Sequence, residues 1–291
     1  MKESWIDKGL RRLLRILKHG RWQRVRLGPN WSSKTLRADL EAGLVPAVAI
    51  LAGGLATRLH PATIPLPKSL IPVAGAPFLV HQLRNLAAQG FSDVVICTGH
   101  LGEQIERFAG DGAGFGCEVR FSRDGEMALG TGGALRRALP MLGEGFLVMY
   151  GDSYLRQPMV PVWDAFCNSG KAALMTVFGN DGQWDRSNVE FTQRLADGGD
   201  AGEIVRYDKS AAGSVEMKHI DYGLGCIRSA DLAAWATEEC FDLAMFYQAM
   251  LERRELAGFE VTERFYEIGS AAGLAETDAF LRAMAGKERA E

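Results

Sequence analysis

Residues 45–73 read VPAVAILAGGLATRLHPATIPLPKSLIPV. The run Ala47–Leu51 is apolar and short, as suits a strand buried on both faces, and it empties into the pair Gly53–Gly54. Paired glycines let backbone N–H groups approach a ligand with no Cβ in the way. Arg58 and Lys68 follow, and both cations can offset charge on phosphate oxygens. A strand, a glycine turn and two cations make a cradle for a polyphosphate. It is not a Walker A loop, because G-x-x-x-x-G-K-[ST] does not occur and Lys68 lies too far from the glycines. The third glycine of a dinucleotide fingerprint is missing as well.

Outward from this stretch the chain alternates strand and helix. Apolar runs predict strands at 93–99, 117–121, 146–150 and 172–178, and helices at 77–89, 101–108, 132–139 and 160–168. Strands apolar on both faces, joined by helices, predict an α/β fold with a Rossmann-like, mixed, mostly parallel sheet flanked by helices. After residue 180 the strands shorten. Runs at 187–192 and 203–208 flank a Gly/Asp-rich turn and predict a hairpin, followed by strands at 220–228, 259–262 and 265–268. Helices starting at Phe241 and Gly273 close the chain. Residues 45–180 are expected to hold a nucleotide at the carboxyl ends of their strands, and 181–291 to wall off a second substrate.

The first 44 residues read as a helical extension. Trp5, Ile6, Leu10, Leu13, Leu14 and Leu17 recur at helical spacing with basic residues opposite, and 1–40 holds eleven Lys or Arg against three acids. Such a helix packs on its own core or on a second copy in a homo-oligomer. Alternatively, it lies on an anionic membrane surface or recruits a partner.

The rest of the chain narrows the classes. A net charge of −3 gives no global pull toward nucleic acid. Five scattered cysteines without a C-x-x-C pair fit neither a disulfide framework nor a zinc site, and suit a reducing cytoplasm. No apolar run approaches the ~18–20 residues that a transmembrane span requires, and no secretory leader is evident.

Two further places carry chemistry. Asp152 follows the predicted strand ending at Tyr150, after Gly151, where a carboxylate either ligates Mg²⁺ or caps the next turn. The run 128–135, ALGTGGAL, is a glycine turn opening a helix. It suits a flat base lying on backbone, or a tight turn with Thr131 as N-cap.

The opening stretch resembles the sugar-1-phosphate nucleotidylyltransferases, whose motif runs approximately G-G-x-G-T-R-L-x-P-x-T-x-x-x-P-K-x-L-x-P-V. The chain matches it at Gly53, Gly54, Thr57, Arg58, Leu59, Pro61, Thr63, Pro67, Lys68, Leu70, Pro72 and Val73, and departs at Ala56. The resemblance covers roughly 45–284. It implies Mg²⁺-dependent transfer of a nucleotidyl group from an NTP to a sugar 1-phosphate, with release of pyrophosphate. By that resemblance Arg58, Lys68 and Asp152 are catalytic. Leu51, Ala52, Gly53, Gly54, Thr57, Arg58, Gly130, Thr131 and Gly133 bind the nucleotide, and Asp152 with Glu267 binds the metal. Glu267 stands where the family usually has aspartate, a side chain one methylene shorter. Asn188, Glu190, Asp208, Lys209, Asp221 and Gly223 fall at positions lining the sugar-phosphate pocket.

LGTGG and HLGEQI look most like the manno-heptose-1-phosphate guanylyltransferases and N-acetylmuramate-1-phosphate uridylyltransferases, which supply nucleotide sugars for cell-surface polysaccharide. The reading leans to GTP and a heptose phosphate. Its alternatives are a UTP-dependent amino-sugar enzyme, a transferase for a non-sugar phosphate, and an inactive nucleotide-sugar-binding regulatory subunit.

Overall fold

The computed structural model describes residues 45–54, 66–180, 186–193, 201–208 and 217–288. The expectations for the first 44 residues, Thr57, Arg58 and Lys209 lie outside the described residues.

The expected α/β architecture is present. β1 (Ala47–Leu51) pairs in parallel with β4 (Asp93–Thr98) on one side and β6 (Gly145–Tyr150) on the other. The full sheet has nine strands in the order β5-β4-β1-β6-β11-β8-β12-β10-β9. Its remaining members are β5 (Glu118–Arg123), β8 (Ala173–Gly179), β9 (Val189–Thr192), β10 (Gly202–Tyr207), β11 (His219–Arg228) and β12 (Leu256–Val261). The sheet is mixed: β11 runs antiparallel to both β6 and β8, and β9 with β10 forms the expected antiparallel pair. One sheet therefore carries strands from both sides of residue 180. From β1 the chain moves outward through β4 to β5, then returns to β6 on the other flank of β1. That reversal opens a crevice at the carboxyl ends of β1 and β6, where open α/β sheets take their ligands.

Alternation along β1 sorts its side chains onto two faces. Val48 and Ile50 pack with Leu79, Leu83 and Leu86 of α1 (Phe78–Ala88) and with Val162, Trp163 and Phe166 of α4 (Met159–Ser169); α2 (Gly102–Ala109) adds Ile105 to the same core. Ala47, Ala49 and Leu51 pack with Ala134, Leu135 and Ala138 of α3 (Gly130–Ala138). Leu232 of α5 (Ser229–Trp235) and Phe246, Tyr247 and Met250 of α6 (Leu243–Glu252) join them. α5 is not expected from sequence, because only Leu232 of its seven residues is buried.

Two short ladders complete the fold among the described residues. β2 (Pro72–Val73) and β3 (Ala76–Pro77) form one, turning through Ala74 and Gly75 at positive φ. β7 (Ser153–Tyr154) and β13 (Tyr266–Glu267) form the other pair, which leads into α7 (Ala271–Glu288). A third core of Val73, Phe78, Tyr154, Ile268 and Leu281 binds this corner together.

Candidate active site

At the carboxyl ends of β1 and β6 the two chain segments touch. Leu51 and Tyr150 are register partners, the Gly151 N–H donates to the Leu51 carbonyl at 2.9 Å, and the Ala52 N–H donates to the Cys97 carbonyl at 2.9 Å. A Cβ on Gly151 would lie 2.8 Å from the Leu51 oxygen, so only glycine lets the two loops run this close. Next to them opens a cleft of about 220 Å³. Leu51, Ala52, Gly53, Gly54, Gly130, Thr131, Lys68 and Asp152 all line it. A larger hollow of about 740 Å³ lies among residues of α4, α6, β10 and β12, and none of the expected site residues lines it. The smaller cleft is the one that gathers the expected residues.

At its mouth Lys68, on a 3₁₀ turn (Lys68–Leu70), donates to Asp152 Oδ2 at 2.6 Å, with the side chains 19% and 34% exposed. Glu267 is brought alongside by the β7–β13 ladder, in which it is the partner of Ser153, and the Ile268 N–H donates to the Asp152 carbonyl at 3.0 Å. The three charged groups meet around one backbone atom. A Cβ on Gly269 would fall 2.5 Å from Glu267 Oε2, 3.1 Å from Lys68 Nζ and 3.7 Å from Asp152 Oδ2. Residues far apart in sequence thus converge on a notch that a single methyl group would fill.

Glu267 also braces its own turn. The Gly269 N–H donates to Oε2, and the Ser270 hydroxyl donates to Oε1 at 2.7 Å, just ahead of α7. Among the described residues, no group of three or more His, Cys, Asp or Glu is arranged to hold a metal. An ion here would have Asp152 and Glu267 as carboxylate donors and would complete its shell from phosphate and water, as Mg²⁺ commonly does.

The glycine turn of α3 has a packing duty as well as a place in the cleft. A Cβ on Gly130 would lie 2.5 Å from the Phe241 carbonyl oxygen, and Cβ atoms on Gly132 and Gly133 would collide with the Phe241 ring and the Glu239 oxygen. The Gly132 N–H donates to the Phe241 carbonyl at 2.9 Å. Thr131 Oγ1 accepts from the Leu243 N–H at 2.8 Å, so it receives the neighbouring segment instead of capping its own helix. Gly133 does not line the cleft.

Sequence reasoning missed Asp124. It follows β5 directly, is 9% exposed, lines the cleft, and accepts from the Leu129 N–H at 3.3 Å. Burial raises its carboxyl pKa above the usual value, while the Leu129 N–H and the Arg137 charge partly offset this. The signal was available: an acid just past the carboxyl end of a strand, the criterion that selected Asp152. Cys97 also lines the cleft, but burial pushes its thiol up to about 12, so it stays a neutral wall.

The expected sugar-side residues gather on the neighbouring strands. The Asp221 carboxylate accepts from the Tyr207 hydroxyl at 3.2 Å and from the Gly223 N–H at 3.0 Å. Asn188 accepts twice, through Oδ1 from the Asp221 N–H at 3.0 Å and through its carbonyl from the Asp208 N–H at 2.9 Å. Glu190 stands on β9 opposite Arg206 of β10. Gly223, at φ +87°, sits where β11 bulges, and a Cβ there would meet the Tyr150 ring at 3.1 Å. Tyr150 in turn lines the cleft, and the Ser153 hydroxyl donates to Asp152 Oδ1 at 3.4 Å. The two sets of residues therefore share one wall. Burial, then the charges of Asp221, Asp242 and Asp152, raise the Tyr150 phenol, which remains a neutral hydrogen-bonding group.

Residues 47–186 match the family described as nucleotidyl transferase. The N-acetylmuramate alpha-1-phosphate uridylyltransferase of Neisseria meningitidis serogroup B is 41% identical over 104 residues, 35% of this chain and 45% of that protein. The mannose-1-phosphate guanylyltransferase of Mycobacterium tuberculosis is 36% identical over 104 residues, 35% of this chain and 29% of that protein. The chain thus spans less than half the length of these curated relatives.

Among solved structures, one assigned as a glucose-1-phosphate thymidylyltransferase from Bacillus anthracis superposes with a TM-score of 0.67 at 22% identity, covering 81% of this chain and 95% of that one. HddC from Yersinia pseudotuberculosis, solved with GMP-PN, gives 0.63 at 20% identity, covering 81% and 100%. These likenesses establish a shared fold.

Proposed function

We propose, from the match of residues 47–186 to the nucleotidyl transferase family, that the chain transfers a nucleotidyl group from an NTP to a sugar 1-phosphate. The observation that carries this reading is the convergence of Lys68, Asp152 and Glu267 on Gly269 at the mouth of a glycine-lined cleft. An oxygen of the sugar phosphate attacks the α-phosphorus in line. The bond from that phosphorus to the bridging oxygen breaks, and pyrophosphate leaves. The nucleophile is already an anion, so catalysis rests on positioning and charge neutralisation instead of a strong base. The Lys68 ammonium has three N–H donors; one is on Asp152, and the others can meet α-phosphate oxygens as charge builds there. Arg58 is assigned to the triphosphate on sequence grounds.

Asp152 and Glu267, the two carboxylates that meet beside Gly269, are the hard oxygen donors that a small divalent cation takes. Asp152 and Glu267 would hold Mg²⁺, which supplies positive charge to phosphate oxygens when bound.

The base is assigned to guanine. A buried acceptor carboxylate at Asp124 suits the paired N1–H and N2–H₂ donors of that base. Uracil offers a single N–H between two carbonyls; the uridylyltransferase relative keeps it as the second reading. On the acceptor side Asn188, Glu190, Asp208, Asp221 and Gly223, with Lys209 from sequence, are assigned to a sugar phosphate, with a heptose 1-phosphate as first choice. The test is pyrophosphate release with Mg²⁺ across four NTPs and a panel of sugar 1-phosphates that includes heptose and N-acetylmuramate. GTP with one sugar phosphate should turn over, and UTP preference would remove the role of Asp124. Silence with every pair would favour a non-sugar acceptor or a regulatory subunit.

A further inference from the structure

Asp152 is held from behind by a helix that contributes nothing to the cleft. Gln82, on α1 and 1% exposed, donates through Nε2 to the Tyr150 carbonyl at 3.0 Å and to the Ser153 carbonyl at 2.8 Å. Those two carbonyls flank Gly151–Asp152, and only the NH₂ end of the amide can serve both. Asn85 on the same stripe of α1, and Gln89 at the C-terminal cap of that helix, continue the grip. Asn85 Nδ2 donates to the Leu155 carbonyl at 2.9 Å, and Gln89 Oε1 accepts from the Met159 N–H at 2.9 Å. Positions 82, 85 and 89 share one helix face, so three amides run along the segment from Tyr150 to Met159. A glutamine buried as fully as Gln82 has a desolvation cost that ordinary core packing does not require. Its two bonds go to the backbone on either side of the site's aspartate.

We propose that Gln82 is a positioning residue that fixes the Asp152 carboxylate for the divalent cation, by clamping the peptide on both sides of it. The proposal rests on the functional reading above. Outer residues that orient a metal carboxylate typically change metal affinity or activity by about 10- to 100-fold when removed. Asn85 and Gln89 hold the chain further on and should matter for folding only.

The test uses the full chain with Mn²⁺ as probe and a non-hydrolysable GTP analogue, reading bound Mn²⁺ by electron paramagnetic resonance beside kcat, KM and thermal midpoint. Gln82→Met keeps the volume and removes both donors. It should weaken Mn²⁺ binding about tenfold and lower kcat comparably, with KM for GTP within about twofold of the parent. Asn85→Leu should lower the thermal midpoint while leaving Mn²⁺ affinity and kcat unchanged. Gln82→Asn, which keeps the amide but not its reach, should fall between and serves if the Met variant does not fold. Unchanged Mn²⁺ affinity at position 82, or equal losses at 82 and 85, would reduce the ladder to a structural brace. A parent chain that binds no Mn²⁺ with the analogue would overturn the functional reading and the proposal with it.

Discussion

At the scale of single residues, Gly269 is the most exposed point of the account. It makes no bond to substrate in the proposed reaction, yet its missing side chain leaves the space in which Lys68, Asp152 and Glu267 meet. Gly269→Ala should lower kcat about 100-fold, the scale of a misplacement near 1 Å, with little change in thermal midpoint. Steady-state kinetics beside a melting curve checks this, and an intact kcat would contradict it. Asp124 offers a second check. Its carboxyl pKa is raised by burial, so its charge costs the fold stability above that pKa, and the cost disappears as pH falls through it. Protonation also removes acceptor capacity from the cleft. KM for GTP should therefore climb on the acid side at a higher pH than for an exposed aspartate. Asp124→Asn should raise KM at neutral pH by about 10- to 100-fold, without lowering the melting temperature. A flat KM across pH in the parent would remove the assigned role.

At the scale of elements, the close approach of β1 and β6 sets the floor of the site. Gly151→Ala would press a methyl onto the Leu51 oxygen and the Ala52 Cα at 2.8 and 3.0 Å. The expected cost is about 1–3 kcal/mol, read by denaturant unfolding, and an unchanged midpoint would mean the loops yield freely. The same elements mark what sequence could convey. Strands β1, β4, β6 and β8 are legible because apolar runs bounded by glycine admit few other readings. β12 begins at Leu256, ahead of the expected 259, because Ala257 and Gly258 are weak strand formers. Yet Gly258 is required there: a Cβ would strike Ile204 at 2.7 Å and Phe191 at 2.8 Å. Tertiary contact outweighs propensity. The LGTGG turn likewise reads as a ligand loop, while its glycines also admit Phe241 and Glu239, a duty that only the folded chain reveals.

At the scale of the molecule, neighbouring strands β6 and β11 of the nine-stranded sheet bring the two expected groups of residues side by side, with Tyr150 against Gly223. Sequence indicated the layers, because alternation along β1 divides the core between two helical faces. It indicated individual carboxylates by their positions at strand ends. It did not indicate Gln82, whose role depends on where α1 lies against residues 150–153, or the notch at Gly269, which needs three segments folded together.

The most direct measurement follows the label of α-³²P-GTP incubated with Mg²⁺ and the sugar 1-phosphate panel. In-line nucleotidyl transfer predicts that the label enters a sugar nucleotide, that unlabelled pyrophosphate appears in equal amount, and that Asp152→Asn abolishes both. Label found only in free GMP or GDP, or turnover that survives in Asp152→Asn, would contradict the account.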